Sequence, residues 1–185
     1  MIQNRELSKN FTLHELLASE TAERLGIEDQ FKPSSKIVSN LEALTTQALQ
    51  PIRNWISHPI RISSGYRCEE LNALVGGSDT SYHPKGLAAD MKIVGDSDDF
   101  MDFPSNYFLF HKIIEMSLAG ELVFDQLIHE YGKPGDPAWI HLSIAEPEAC
   151  PRRQVIITQR GGYRHVGLSE LMDLNRRARE IAISA

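Results

Sequence analysis

The chain has 185 residues, of which 42% are apolar, with 25 acidic and 19 basic side chains and a formal net charge of −6. One domain with an ordinary core is expected at this length. The charge, spread with both signs along the chain, excludes nucleic acid as the main partner, which requires a concentrated basic surface. No window approaches ~20 uninterrupted apolar residues, which excludes a membrane-spanning helix.

The N-terminus, Met1 to Asn10, lacks the apolar stretch of a secretory signal, so the product is expected to begin in the cytoplasm unless another protein exports or releases it. Thr12-Leu13-His14-Glu15 has the form of a capping box and opens a helix whose apolar stripe is Leu13, Leu16, Leu17 and Leu25, with Gly26 at its end. A second helix begins near Ser34 or Ser35 and carries Ile37, Val38, Leu41, Leu44, Ala48 and Leu49 at helical spacing. Pro51 is expected to kink or end it.

Ile60 to Ser64 reads as a strand broken at Gly65, Glu69 to Val75 as a short helix, and Ser78 to Lys85 as a polar loop. Leu87 to Val94 is the next strand, followed by an acidic loop from Gly95. Ser105 to Ala119 is a helix with Phe108, Ile113, Ile114, Met116 and Leu118 on its core face. Strands from Leu122 to His129 or Glu130 and from Trp139 to Ile144 flank a Gly-Pro-rich turn, which predicts an antiparallel hairpin. Val155 to Thr158 suits a further strand and Leu168 to Ile181 a closing helix, where Arg176, Arg177 and Arg179 form a solvated face. Cys68 and Cys150 are too few for a disulfide framework and read as free thiols. Helices first and strands later predict an α+β fold, a small antiparallel sheet packed with helices.

The chemistry concentrates in Ser81-Tyr82-His83-Pro84-Lys85-Gly86-Leu87-Ala88-Ala89-Asp90 and in Trp139-Ile140-His141-Leu142-Ser143. Two imidazoles and a carboxylate make a three-ligand set for Zn2+, and three protein ligands leave the fourth position open, as in a catalytic site. Asp90 sits among Leu87, Ala88, Ala89, Met91 and Ile93, where a carboxylate needs a cation or hydrogen bonds. Strand alternation puts Trp139, His141 and Ser143 on one face, opposite Ile140, Leu142 and Ile144. In the preceding strand Gln126, Ile128 and Glu130 alternate with Asp125, Leu127 and His129, so either Glu130 or His129 could stand beside His141.

These strings resemble the M15 zinc peptidases, the D-alanyl-D-alanine carboxypeptidase and phage endolysin group that shares its fold with the hedgehog signalling domain. The resemblance runs from about Ile60 to Ile144 and includes Ile62-Ser63-Ser64-Gly65-Tyr66-Arg67, Leu71-Asn72 and Val75-Gly76-Gly77. Residues before Pro33 and after Gln159 contribute little to it. The expected unit is a single domain with its motif-bearing core at about residues 33–158 and the terminal helices as extensions.

The resemblance implies His83, Asp90 and His141 as zinc ligands and peptidoglycan stem or cross-link peptides as substrate, reached if the protein is released to the wall. Many members place the catalytic carboxylate three positions before the last histidine; here that position is Ala138. In the hedgehog-like arrangement the glutamate ends the preceding strand and falls on Glu130, with Asp136 the second choice. Arg67 matches the family arginine, implied to hold a substrate carboxylate or an oxyanion. Ser81 is implied to touch substrate or brace His83, and Gln126, Trp139, Asp125 and His129 are pocket candidates. The alternative is a non-catalytic zinc-binding module for a cell-wall peptide or protein partner, which the residue at Ala138 favours.

Overall fold

A computed structural model describes residues 3–56, 58–94, 105–132, 137–159, 162–167, 169–173 and 176. The chain opens with a two-stranded ribbon, β1 (Glu6–Ser8) and β2 (Phe11–Thr12). The expected first helix forms as two. Thr12 caps α1 (Leu13–Leu17) by accepting the Glu15 N–H, as the capping box requires. Ser19 then accepts the Ala22 N–H and starts α2 (Glu20–Leu25) after an extended Ala18. This second cap turns the chain, and Leu25 ends exposed rather than on the apolar stripe. A 3₁₀ turn, Glu28–Phe31, follows.

Ser34 caps α3 (Ser35–Leu44), which continues through a π-helical turn, Thr45–Leu49, into α4 (Gln50–Ile56). Pro51 therefore neither ends the helix nor breaks its apolar face: Leu41, Leu44, Ala48, Leu49 and Ile52 are all buried. A widened turn relieves the clash of a proline ring with the carbonyl a turn back.

The main sheet has six strands: β3 (Ile60–Ser64), β4 (Ala88–Ile93), β5 (Gln126–Glu130), β6 (Trp139–Ser143), β7 (Gln154–Gln159) and β8 (Gly162–His165). Their spatial order is β3-β4-β6-β5-β7-β8. β5 and β6 form the expected antiparallel hairpin. The α+β class holds, but the sheet is larger than expected and mixed, because β7 runs parallel to β5. Both β6 and β7 flank β5, and the link 144–153 carries the chain across it. The short α5 (Glu69–Leu74) follows β3, and α6 (Asn106–Leu118), capped by Ser105, precedes β5. Phe108 and Leu118, both expected in the core, are exposed. Residues 169–173 are helical; the rest of the expected closing helix and the acidic loop 95–104 lie outside the described residues, Arg176 aside.

One face of the sheet carries Met91, Leu127, Ile140, Leu142 and Val155 into a single apolar core with α1, α3, α4 and α6. Burial of each such side chain contributes roughly 1.5–3 kcal/mol. The N-terminal ribbon and α1 share this core through Leu7, Phe11, Leu13, Leu16 and Leu17. The opposite face is polar and forms the floor of a cleft. Cys68 is buried and Cys150 exposed, both as free thiols. Among the described residues no helix is long and apolar enough to cross a membrane.

Candidate metal centre

Sheet register assembles the site. Asp90 of β4 pairs with His141 of β6, and His141 pairs with Ile128 of β5. Glu130 pairs with Trp139, so Glu130 shares the cleft face with His141 and Asp90. His129 points to the other face, where its ring meets Phe110 of α6 edge-on at 5.5 Å. The register thus decides between the two residues that the sequence left open.

His83 arrives on a tight turn. Gly86 adopts φ +69°, and its backbone lies against α3, where an added Cβ would meet Ile37 O at 2.9 Å. Buried Asn40 of α3 donates to Lys85 O at 2.7 Å and pins the same turn. Ser81 Oγ accepts the His83 N–H, so it braces the histidine loop.

Three ligand-type atoms converge. His83 Nε2 is 3.3 Å from Asp90 Oδ1, His141 Nδ1 is 2.9 Å from the same oxygen, and the two nitrogens are 3.2 Å apart. His83 Nε2 and His141 Nδ1 are thus brought together across 58 residues of chain. His83 Nδ1 lies 2.6 Å from Gly65 O, a carbonyl that only accepts, so Nδ1 carries the proton and Nε2 presents a lone pair to the cluster. A single proton on His141 cannot serve both that lone pair and the Asp90 oxygen fully; a cation serves all three atoms. Zinc bonds of 2.0–2.1 Å in tetrahedral array put neighbouring ligands about 3.3 Å apart, close to the spacings here. The residues fit a divalent ion, and no other group of three or more His, Cys, Asp or Glu side chains among the described residues does.

Arg67 grips the second oxygen of Asp90, Nη2 to Oδ2 at 2.5 Å, and its Nε donates to Ser64 Oγ at 2.8 Å. Burial alone would raise the Asp90 pKa, but the two imidazoles outweigh it and hold the carboxyl well below the usual range. Burial lowers the His83 pKa, partly offset by the pull of Asp90. Glu130 is buried and its Oε2 accepts the Thr158 hydroxyl at 2.8 Å. Burial raises its pKa above the ordinary carboxylate value, partly offset by Thr158 and His141.

The cleft above these groups has a volume of about 1010 Å³. Arg67, Ser81, Gln126, Glu130 and Trp139 all line it. Gln126 donates to Gln154 at 2.6 Å, and Trp139 packs on Tyr131. Asp125 instead lies almost fully buried beneath the wall, where it receives both the backbone and the guanidinium of Arg152. Asp136 lies outside the described residues.

Two contributors escaped the sequence. Gln30, with no exposed surface, donates to Leu17 O and Tyr66 O at 2.8 and 2.7 Å and accepts the Cys68 N–H at 2.9 Å. It clamps the residues on both sides of Arg67. Arg152 lines the cleft and lies over the Tyr82 ring at 5.5 Å. Nothing local in the sequence marks Gln30 as buried, and Arg152 depends on a long-range ion pair.

A family model described as Peptidase M15 matches residues 9–129. The matched span takes in the N-terminal helices, Arg67, His83 and Asp90 and stops one residue before Glu130. Glu130 and His141 join the site from beyond it, brought there by the strand pairing. No curated protein matches the chain.

Proposed function

Because the chain belongs to the M15 peptidase family, we propose that it is a zinc-dependent peptidase that hydrolyses amide bonds of peptidoglycan stem or cross-link peptides. The observation that carries this reading is a buried, pKa-raised glutamate on the same sheet face as a three-ligand cluster.

His83, Asp90 and His141 hold the ion. When bound, zinc supplies Lewis acidity, which acidifies water and polarises a carbonyl. Arg67 keeps Asp90 turned so that Oδ1 faces the imidazoles while Oδ2 stays on the guanidinium. Thr158 occupies Oε2 of Glu130, which leaves Oε1 to take the proton of the attacking water and return it to the departing nitrogen. A carboxylate whose pKa is raised toward the working pH does both halves of that transfer better. Gln126 and Trp139 contact the peptide from the cleft floor, and Ser81 holds His83 in place. The position usually filled by a carboxylate three residues before the last histidine is not needed, because Glu130 reaches the site from the neighbouring strand.

The test is Glu130→Gln. It retains zinc, read by metal analysis, and loses cleavage of wall peptides by at least about 100-fold, as expected of a general base. Undiminished cleavage removes Glu130 from the mechanism. A wild-type protein that binds zinc but cleaves nothing in a broad panel of wall peptides is a binding module instead.

A further inference from the structure

Arg67, matched to an arginine implied to hold a substrate carboxylate or an oxyanion, is also paired with Asp90. Four arginine or lysine side chains line the cleft: Arg61, Arg67, Lys92 and Arg152. Arg67 is paired with Asp90 and Arg152 with buried Asp125. The charged ends of Arg61 and Lys92 have neither a counter-ion nor a hydrogen-bond partner among the described residues.

These two face each other. Arg61 of β3 is the antiparallel partner of Lys92 of β4. Directly opposed side chains have Cβ atoms about 4.5–5.5 Å apart, and like charges so placed destabilise the pairing. An anion between them converts that repulsion into two charge-assisted hydrogen bonds. The chain as a whole is acidic, with net charge −6, so the pair is a local feature rather than part of a basic surface. Lys92 also shares the face of Asp90 two residues away, which is about 6.6 Å along a strand.

We propose that Arg61 and Lys92 form a carboxylate subsite, which holds an acidic group of the substrate within about two residues of the bond that is cut. The subsite rests on the peptidase reading above for its substrate. The carboxylate comes either from the end of the peptide or from an acidic side chain.

Twin peptides test this: a wall-type peptide as the free acid, the same peptide amidated at its chain end, and the same peptide amidated at its acidic side chain. Binding is measured by calorimetry on the full-length, chelator-treated protein, so no cleavage intervenes, and kcat and KM are measured on the zinc-loaded protein. The wild type binds the free acid about tenfold more tightly than one of the two amides, and that amide identifies the source. The preference weakens with added salt. Arg61→Ala/Lys92→Ala binds all three alike and raises KM about tenfold with kcat within about twofold. Lys92→Arg keeps the preference, and Arg24→Ala, away from the cleft, leaves it untouched.

A double variant that retains the wild-type preference, or a wild type that binds all three peptides equally, overturns the subsite. Cleavage without discrimination removes the subsite and leaves the peptidase reading intact. Discrimination in binding without any cleavage does the reverse.

Discussion

Gly65→Ala probes the link between packing and the metal centre. A Cβ at Gly65 would stand 2.3 Å from Leu16 O and 2.9 Å from Leu16 Cα, both backbone atoms of a fully buried residue. Ordinary contact begins at 3.4 Å, so the loop must retreat by about 1.1 Å. It is tied there by the Tyr66 N–H bond to Leu16 O at 2.8 Å. A retreat away from His83 stretches the 2.6 Å bond from His83 Nδ1 to Gly65 O to about 3.7 Å, beyond a useful hydrogen bond.

Overpacking of this kind costs about 1–3 kcal/mol and the lost bond about 1 kcal/mol. At 2–4 °C per kcal/mol for a chain of this size, the metal-free variant melts roughly 4–16 °C lower by scanning calorimetry. Losing the acceptor that orients a metal-bound imidazole lowers zinc affinity about 10- to 100-fold, read by competition with a chelating dye. Gly120→Ala is the control: it has open space but φ +77°, so it costs backbone strain far from the site. It lowers the melting point and leaves zinc affinity alone. If Gly65→Ala binds zinc within twofold of wild type, the Gly65 carbonyl does not orient His83 and the reasoning fails.

Gln30→Leu strips three buried backbone groups of their partner and lowers unfolding stability in urea by at least about 2 kcal/mol. Thr158→Val removes a hydrogen bond that favours ionised Glu130, so the Glu130 pKa rises further and the acidic limb of kcat/KM moves to higher pH; an unmoved limb separates Glu130 from that titration. His111, pulled down to about 4 by burial and then by His129, stays neutral in the fold at pH values where the unfolded chain is protonated. Its folded pKa lies below the ordinary 6.5, so stability falls as pH drops from 6.5 toward 4. His111→Gln flattens that decline in melting temperature against pH.

The cluster of His83, Asp90 and His141 was legible because a site that could hold a metal needs particular residue types at spacings the backbone limits: a loop histidine, a strand carboxylate and a strand histidine opposite an aliphatic row. Caps at Thr12 and Ser34 were legible for the same local reason. Strand alternation alone left His129 and Glu130 open and only the resemblance chose Glu130; pairing with Trp139 and His141 puts Glu130 on the cleft face. The ion pair between Arg67 and Asp90 was not legible, because the two lie 23 residues apart and meet only across the β3–β4 pairing. The split after Ala18 was masked by apolar residues that continue a helical period past a second cap. Gln30 and Arg152 act through partners 36 or 27 residues distant, a separation that no local pattern encodes.

The parallel seam between β5 and β7 completes the surroundings of Glu130 from a later stretch of chain. The three ion-holding residues are complete once the chain has emerged as far as β6, whereas Thr158 belongs to a strand made afterwards. A chain that stopped before β7 would leave the β5 edge uncovered and would lack the Thr158 hydroxyl that bonds Glu130. The last strands therefore furnish part of the Glu130 environment and are not merely a border to the sheet.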